Sequence, residues 1–388
     1  MRPSYLLFLI IFSQFAGTSM WFAGNAILPE LITDFGLQPE DIGNITSSVQ
    51  AGFIAGTLIF AFAAIADRFS PSKVFFTCSI FGALFNASIY FLPHEFLSVV
   101  TSRFLTGVML AGIYPVGMKI AADWYKDSLG KAIGYLVGAL VLGTAFPSLI
   151  KAWGSGLDWS MVLTLTSILA ASGGFLVFLL IKDGPHRRAM PRFNPLAIIK
   201  LFKSSGFRAS SFGYFGHMWE LYTFWAFTPL LLHRYCSLHD TQINIPLWTF
   251  FIIGSGFAGC SVGGLISRIK GSGFVAWANL LGSGICILLF PLFIFLPLPI
   301  FLVYMVAWGW LVVGDSPQFS ALVAGTAPSD QIGSGLTIMN CIGFTLSIIS
   351  IYLMNHLIGF LEIQVAVLMM VIGPIVGLWA IYPLKRSI

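Results

Sequence analysis

The chain has 388 residues, 57% hydrophobic and only 9% charged, with a formal net charge of +5 and a mean hydropathy of +0.89. A soluble domain carries about 25% charged residues, so the polar surface needed for a water-facing exterior is missing and a soluble globular protein is excluded. Five cysteines (Cys78, Cys236, Cys260, Cys286 and Cys341) show no metal or redox spacing. Only Cys236 falls in an expected outer loop, which argues against a disulfide framework.

Nearly every window of about 20 residues is apolar enough to cross a bilayer. Breaks at charges, prolines and glycines predict twelve membrane helices, at 5–29, 41–65, 74–92, 96–122, 132–153, 159–181, 208–232, 246–266, 274–296, 299–325, 334–357 and 361–384. The fold class is therefore all-α integral membrane. The first stretch reads as an uncleaved helix rather than a signal peptide, because it is long and has an equivalent in the second half. It carries a polar line, Gln14, Thr18, Trp21 and Asn25, which points to a cavity wall rather than to lipid.

Helices two and three are joined by a charged hinge, Ala63-Ala64-Ile65-Ala66-Asp67-Arg68-Phe69-Ser70-Pro71-Ser72-Lys73, and a similar apolar context recurs at Gly263-Gly264-Leu265-Ile266-Ser267-Arg268. Arg68 and Arg268 lie 200 residues apart, as do Pro29, read as ending helix one, and Pro229, late in helix seven. Pro115 and Pro317 are 202 apart, and Gly130 and Gly333 are 203 apart. Such near-constant offsets predict a duplicated bundle, a build that places a binding site between halves near the midplane. The domains expected are 1–181, a basic linker 182–207 with a possible interfacial helix at 195–204, and 208–388. Glycines four apart, Gly52/Gly56, Gly130/Gly134/Gly138 and Gly259/Gly263, predict close helix contacts in lipid.

With the N-terminus inside, Arg2, Arg68, Lys73, Lys126, Lys131, Lys182, Arg187, Arg188, Arg192, Lys200, Lys203, Arg208, Arg268, Lys270, Lys385 and Arg386 are cytoplasmic, and only Lys151 and Arg234 lie outside, beside Glu30, Asp34, Glu40, Asp41 and Glu95. This bias fixes both termini in the cytoplasm. The positive charge thus reports orientation and does not imply a nucleic-acid partner.

Three charges lie inside predicted spans: Arg103, Glu220 and Asp315. Each costs at least about 2.5–3.5 kcal/mol at a helix centre on insertion scales, so each implies a polar cavity and a purpose. His217 and Thr223 flank Glu220 at three residues' distance on one helical face, with Trp219, Tyr222 and Trp225 around it. Asp315 shares a stripe with Tyr304, Trp308, Leu311, Gln318 and Phe319, where Pro317 is expected to bend helix ten. Arg103 shares a face with Gly107, Leu110 and Tyr114, and Lys119 is expected to snorkel. Asn340, with Thr337 and Ser347, gives helix eleven a weaker polar line.

The hinge resembles the Gly-x-x-x-Asp-Arg-x-Gly-Arg-Lys loop of the Major Facilitator Superfamily, with Asp67, Arg68 and Lys73 in place, Ala63 for the first glycine and Ser70-Pro71 for Gly-Arg. Arg103-Phe104-Leu105-Thr106-Gly107 matches that family's Arg-x-x-x-Gly pattern in helix four, whereas the Gly-x-x-x-Gly-Pro-x-x-Gly-Gly signature of drug antiporters is absent from helix five. The resemblance covers essentially the whole chain. It implies two six-helix pseudo-symmetric bundles, alternating access, a gating role for Asp67, Arg68 and Lys73, and interfaces between halves formed by helices two, five, eight and eleven. Nitrate-type members carry arginines in helices two and eight, and organophosphate exchangers in one and seven. No such interior arginine stands here, which disfavours a multiply charged anion.

The expected partners are a small neutral, zwitterionic or cationic organic solute, protons and the lipid bilayer, with no cofactor and a monomeric state. Gln14, Trp21, Asn25, Tyr114, Glu220, Trp308, Asp315, Gln318 and Asn340 are the expected substrate contacts, and Glu220, Asp315, Arg103 and His217 the proton-coupling set. Arg103 is the expected counter-cation, sodium the alternative ion. The loop from Tyr114-Pro115 to Gly130 resembles that of uptake members of the superfamily more than of drug exporters, and the segments Gly216–Tyr222 and Asp315–Phe319 resemble those of bacterial permeases, so uptake across an inner membrane is expected. Efflux of a metabolite, siderophore or drug is the alternative, a membrane receptor or enzyme the more distant one.

Overall fold

The computed structural model describes residues 3–38, 41–125, 129–154, 158–187 and 193–384. Of the orientation charges, Arg2, Glu40, Lys126, Arg188, Arg192, Lys385 and Arg386 lie outside the described residues. The chain divides into two compact units, Met1–Phe193 and Asn194–Ile388.

In the first unit, helix one runs Pro3–Thr18 and continues as Ala23–Ala26 and Leu28–Asp34, and helix two is Asp41–Ala63 followed by Ile65–Arg68. Helix three is Pro71–Ser88, helix four Phe96–Leu110 with Tyr114–Trp124, helix five Leu129–Trp153 and helix six Ser160–Leu180. In the second unit, the short helix Ala197–Leu201 precedes helix seven, Ser205–His239, helix eight, Ile245–Lys270, and helix nine, Ser272–Phe293. Helix ten is Leu298–Gly314 with Ser316–Thr326, helix eleven Ile332–Leu357, and helix twelve is split into Ile363–Ala366, Val367–Val371 and Ile372–Ile381.

Among the described residues, nine segments are long and apolar enough to span a bilayer by length and composition alone. Helix one falls short because it is interrupted, and helices three and seven because polar side chains dilute their hydropathy. The twelve segments form an all-α membrane fold of two six-helix bundles.

Local chemistry corrects several expected boundaries. Helix one is not continuous over 5–29: it unwinds at residues 19–22. Pro29 does not end it but sits in the first turn of Leu28–Asp34, where proline's missing N–H costs nothing. Helix seven passes through Pro229 to His239, so Cys236 is helical rather than in a loop. All five cysteines are free.

The two units repeat the same close contacts. A Cβ on Gly107 would lie 2.0 Å from the Val49 carbonyl, and one on Gly309 would lie 2.0 Å from that of Ile252. Gly56 meets the Val108 carbonyl as Gly259 meets that of Trp310. Gly173 fits against Ser13 and Ala16, and Gly373 against Gly216 and Trp219. Helices two and four therefore pack like helices eight and ten, and helices one and six like seven and twelve. The contacts set the register near 202 residues for the helix four–ten pair and 203 for one–seven (309 against 107, 216 against 13). The offset of 200 read from Pro29/Pro229 and Arg68/Arg268 is therefore not the structural register. The segment between Gly56 and Cys78 is longer than that between Gly259 and Asn279, the residues that face Gly112 and Gly314.

Gly107→Ala and Gly309→Ala each force backbone apart and are expected to destabilise by about 1–3 kcal/mol. Gly264→Ala, where the added methyl meets nothing within 4 Å, should leave the melting temperature unchanged. Thermal unfolding of the purified protein in detergent compares the three.

Candidate functional site

The first unit's buried charge serves the break in helix one. Arg103 is 1% exposed. Its Nη2 donates to the carbonyls of Met20 (2.7 Å) and Trp21 (2.6 Å), and its Nη1 to Asn86 Oδ1 (2.8 Å). Those carbonyls lie where helix one unwinds, and the Met20 carbonyl also accepts from the Ala23 amide at 3.4 Å. Asn86 is held by Thr166 Oγ1 at 3.1 Å and Ser167 Oγ at 2.9 Å. Arg103 is thus a brace within its own unit, and its donors are committed to amide and carbonyl oxygens. Glu220 and Asp315, for which it is the expected counter-cation, belong to the other unit. Asn86, a lone amide in an apolar helix, escaped the sequence reading.

The rest of helix one's polar line is buried apart from Asn25, which is half-buried. Gln14 and Thr18 are fully buried and Trp21 is 1% exposed. Thr18 returns its hydroxyl to the Gln14 carbonyl at 2.8 Å, the local bond that a membrane threonine makes when no partner faces it. Asn25 donates to Thr46 at 2.8 Å. The Gln14 amide has no protein partner among the described residues. It rests against Gly117, where a Cβ would lie 2.0 Å from Gln14 Oε1. Tyr114 opens the second piece of helix four.

In the second unit, His217, Glu220 and Asp315 are fully buried. His217 Nδ1 lies 2.8 Å from Asp315 Oδ1. Glu220, one turn further along helix seven, is close enough to Asp315 for their charges to interact and has Ser283 of helix nine beside its carboxyl. Asp315 sits at the break of helix ten, as the residue preceding Ser316–Thr326. An aspartate there normally caps the helix by accepting from an amide of the first turn. Here Pro317 has no N–H to offer, and the Asp315 side chain makes no capping bond. It turns to His217 instead. The Val313 carbonyl, which Pro317 leaves without its helical donor, receives Cys260 Sγ at 3.5 Å.

Gln318 is 3% exposed. Trp308 is fully buried against Phe224, with ring centroids 4.4 Å apart, and Tyr304 donates to the Cys286 carbonyl. Asn340 accepts from Tyr214 at 3.1 Å. The tyrosine ring also flanks His217 at 5.9 Å, as Phe319 does at 5.7 Å. The structure thus groups Glu220, His217 and Asp315, with Tyr214 joining His217 to Asn340, while Gln14, Trp21, Asn25 and Tyr114 belong to the other unit.

At the charged hinge, Asp67 pairs with Lys119 at 2.9 Å. Arg187 donates to the Asp67 carbonyl at 3.1 Å and to that of Phe69 at 2.8 Å, and it pairs with Asp183, which accepts from Ser70 at 2.6 Å. Lys119 is therefore a partner of the hinge and does not simply snorkel. Arg68 and Lys73 are exposed.

A family model of the Major Facilitator Superfamily matches residues 7–350. The chain belongs to that superfamily. It is 24% identical over 223 residues to the nitrate/nitrite transporter NrtP of a Picosynechococcus species, a match covering 48% of this chain and 40% of the relative, so the chain spans less than half of that protein's length. The human organic anion transporter MFSD10 (TETRAN) shares the fold with a TM-score of 0.72 at 14% identity, over 98% of this chain and 100% of that one. A bacterial homologue of the human lysosomal transporter Spinster, in an inward-facing and unoccupied conformation, gives 0.71 at 15% identity over 99% and 97%.

Arg103→Gln removes the charged donor from the Met20 and Trp21 carbonyls, a hydrogen bond to a charged group being worth about 1.5–3 kcal/mol. It should lower the melting temperature, and so should Asn86→Ala. Because both act through one brace, the double variant should cost less than the two losses added, a double-mutant cycle read by thermal unfolding.

Proposed function

We propose that this protein is a secondary transporter of a small organic solute, working by alternating access and driven by protons. The observation that carries the reading is the group His217–Asp315–Glu220: three ionisable side chains with no exposure, inside membrane-spanning helices. A bilayer tolerates such a group where it serves a pathway or relay. Glu220 is the proton carrier. Both its oxygens lack a protein hydrogen-bond partner among the described residues, so a proton or a solute group is free to take them when water reaches the site.

The cargo is a neutral, zwitterionic or cationic molecule, because the second unit's buried site offers acids, amides and aromatic rings, while the first unit's buried cation is consumed by its brace. Nitrate transport by a relative does not carry over, since helices two and eight hold no arginine in their interiors, Arg268 lying in the last turn of helix eight. Uptake is the direction proposed, in an inner membrane with both termini cytoplasmic. The paired hinge of Asp67, Lys119 and Arg187 supports a gating role at the cytoplasmic face, and Gln14, Trp21 and Asn25 supply the first unit's solute contacts.

A thermal-shift screen of the purified protein against neutral, zwitterionic and cationic metabolites should yield a ligand, and proteoliposomes with an imposed pH gradient should accumulate it. Glu220→Gln should retain counterflow but lose gradient-driven accumulation by at least about tenfold, the loss of a coupling group rather than of binding. Accumulation at the full rate by Glu220→Gln would remove Glu220 from the mechanism.

A further inference from the structure

The basic segment ahead of helix seven is held to the second unit on one side only. Its short helix, Ala197–Leu201, buries Ala197 and Leu201 four residues apart, while Leu196 is 72% and Ile199 62% exposed. Ahead of it, the Asn194 amide donates to Ser334 Oγ of helix eleven at 3.3 Å, and the Leu196 amide to Asn194 Oδ1 at 3.0 Å. Behind it, Arg208 Nη1 donates to the carbonyls of Phe202 at 2.9 Å and Lys203 at 3.1 Å, which fixes the turn into helix seven. The roll of the short helix is therefore set. Leu196, Ile199 and Lys200, at spacings of three and four, share its outward face, and Lys203 follows in the next turn, also exposed.

Aromatic packing sets the depth of this face. The Phe202 ring lies 5.3 Å from Phe207 and 6.5 Å from both Phe212 and Phe215. Those three rings belong to the first turns of helix seven, so the segment folds back beside that helix instead of standing off in water. Phe212 is 42% exposed, an apolar ring turned outward where lipid covers the bundle.

Charge on the face is of one sign. Residues 193–208 hold Lys200, Lys203 and Arg208 and no acid. Among the described residues neither lysine forms an ion pair. Asp330, the acid just before helix eleven, accepts from its neighbour Gln331.

We propose that this face is a binding site for an anionic phospholipid of the leaflet it meets, with Leu196 and Ile199 against the acyl chains and Lys200, Lys203 and Arg208 around the headgroup. Apolar and cationic side chains on one outward face suit the boundary between hydrocarbon and headgroups, and no water-facing role calls for exposed Leu196 and Ile199. The net charge selects the lipid. A zwitterionic headgroup brings an ammonium group for which the segment has no acid, whereas an anionic one meets three cations. Each cation near an anionic lipid contributes about fivefold in affinity. The bound lipid would press the short helix onto the second unit from its open side.

The test uses the full chain purified in neutral detergent and titrated with phosphatidylglycerol or phosphatidylethanolamine, the first bound lipid being followed by native mass spectrometry. Phosphatidylglycerol should bind the wild type at least about tenfold more tightly. Lys200→Gln with Lys203→Gln should weaken it about twenty-five-fold, two factors of five, and leave phosphatidylethanolamine unchanged. Arg268→Gln with Lys270→Gln removes equal charge from another exposed end of the same unit and should leave phosphatidylglycerol binding unchanged. Leu196→Ser with Ile199→Ser should weaken the lipid, and glycerol phosphate, a phosphate ester without acyl chains, should not displace it. Equal binding of the two lipids by the wild type overturns the site, and that comparison needs no variant. Equal losses in the two charge-removing double variants also overturn it, leaving only general attraction to basic residues. Displacement by glycerol phosphate overturns it in favour of a soluble phosphate ester as the ligand.

Discussion

A bilayer offers no water to a backbone group, so every interruption of a membrane helix must be satisfied by protein. The rest of this structure depends on that constraint. Helix one unwinds at residues 19–22, and Arg103 crosses to hold the Met20 and Trp21 carbonyls. Helix ten breaks at Asp315, and Cys260 donates to the Val313 carbonyl that Pro317 leaves without its helical donor. Each of these two breaks is paired with a polar side chain from another helix, Arg103 at one and Cys260 at the other.

Close packing makes those pairings possible. Gly107 and Gly309 bring helices four and ten against the backbones of two and eight. With the helices held at that separation, a side chain from one helix reaches the break in its neighbour. The same packing motif used twice has diverged in content. One copy encloses Gly17 and Ile113, the other Glu220 and Asp315, with His217 beside them. Duplication supplied the scaffold, and substitution at matching positions placed charge in one copy only.

Much of this was legible in the chain. Apolar runs and their interruptions located the twelve segments, because a helix is the local solution to hydrogen bonding in lipid and the signal is contained in each run. The break in helix ten was legible from Pro317, and the importance of Glu220, Asp315 and Arg103 from the cost of charge in a bilayer. The break in helix one was not: its residues, Ser19 to Phe22, carry no proline or glycine, and the brace that stabilises it comes from helices three and four. Asn86 was overlooked, and the pairings of Lys119 and Arg187 were not foreseen, for the same reason, since what each does depends on a partner distant in sequence.

The sequence by itself determined the solvent of this protein, its helical content, its duplication and which charges must be buried, since all of these follow from composition and local spacing. Tertiary structure decided the pairing. Only packing shows that Arg103 is spent on its own unit's backbone, that Asp315 turns to His217 rather than capping its helix, and which of the offsets read from the chain is the structural register. A side chain's role in lipid is set by the one neighbour that satisfies it, and that neighbour is chosen by how helices meet.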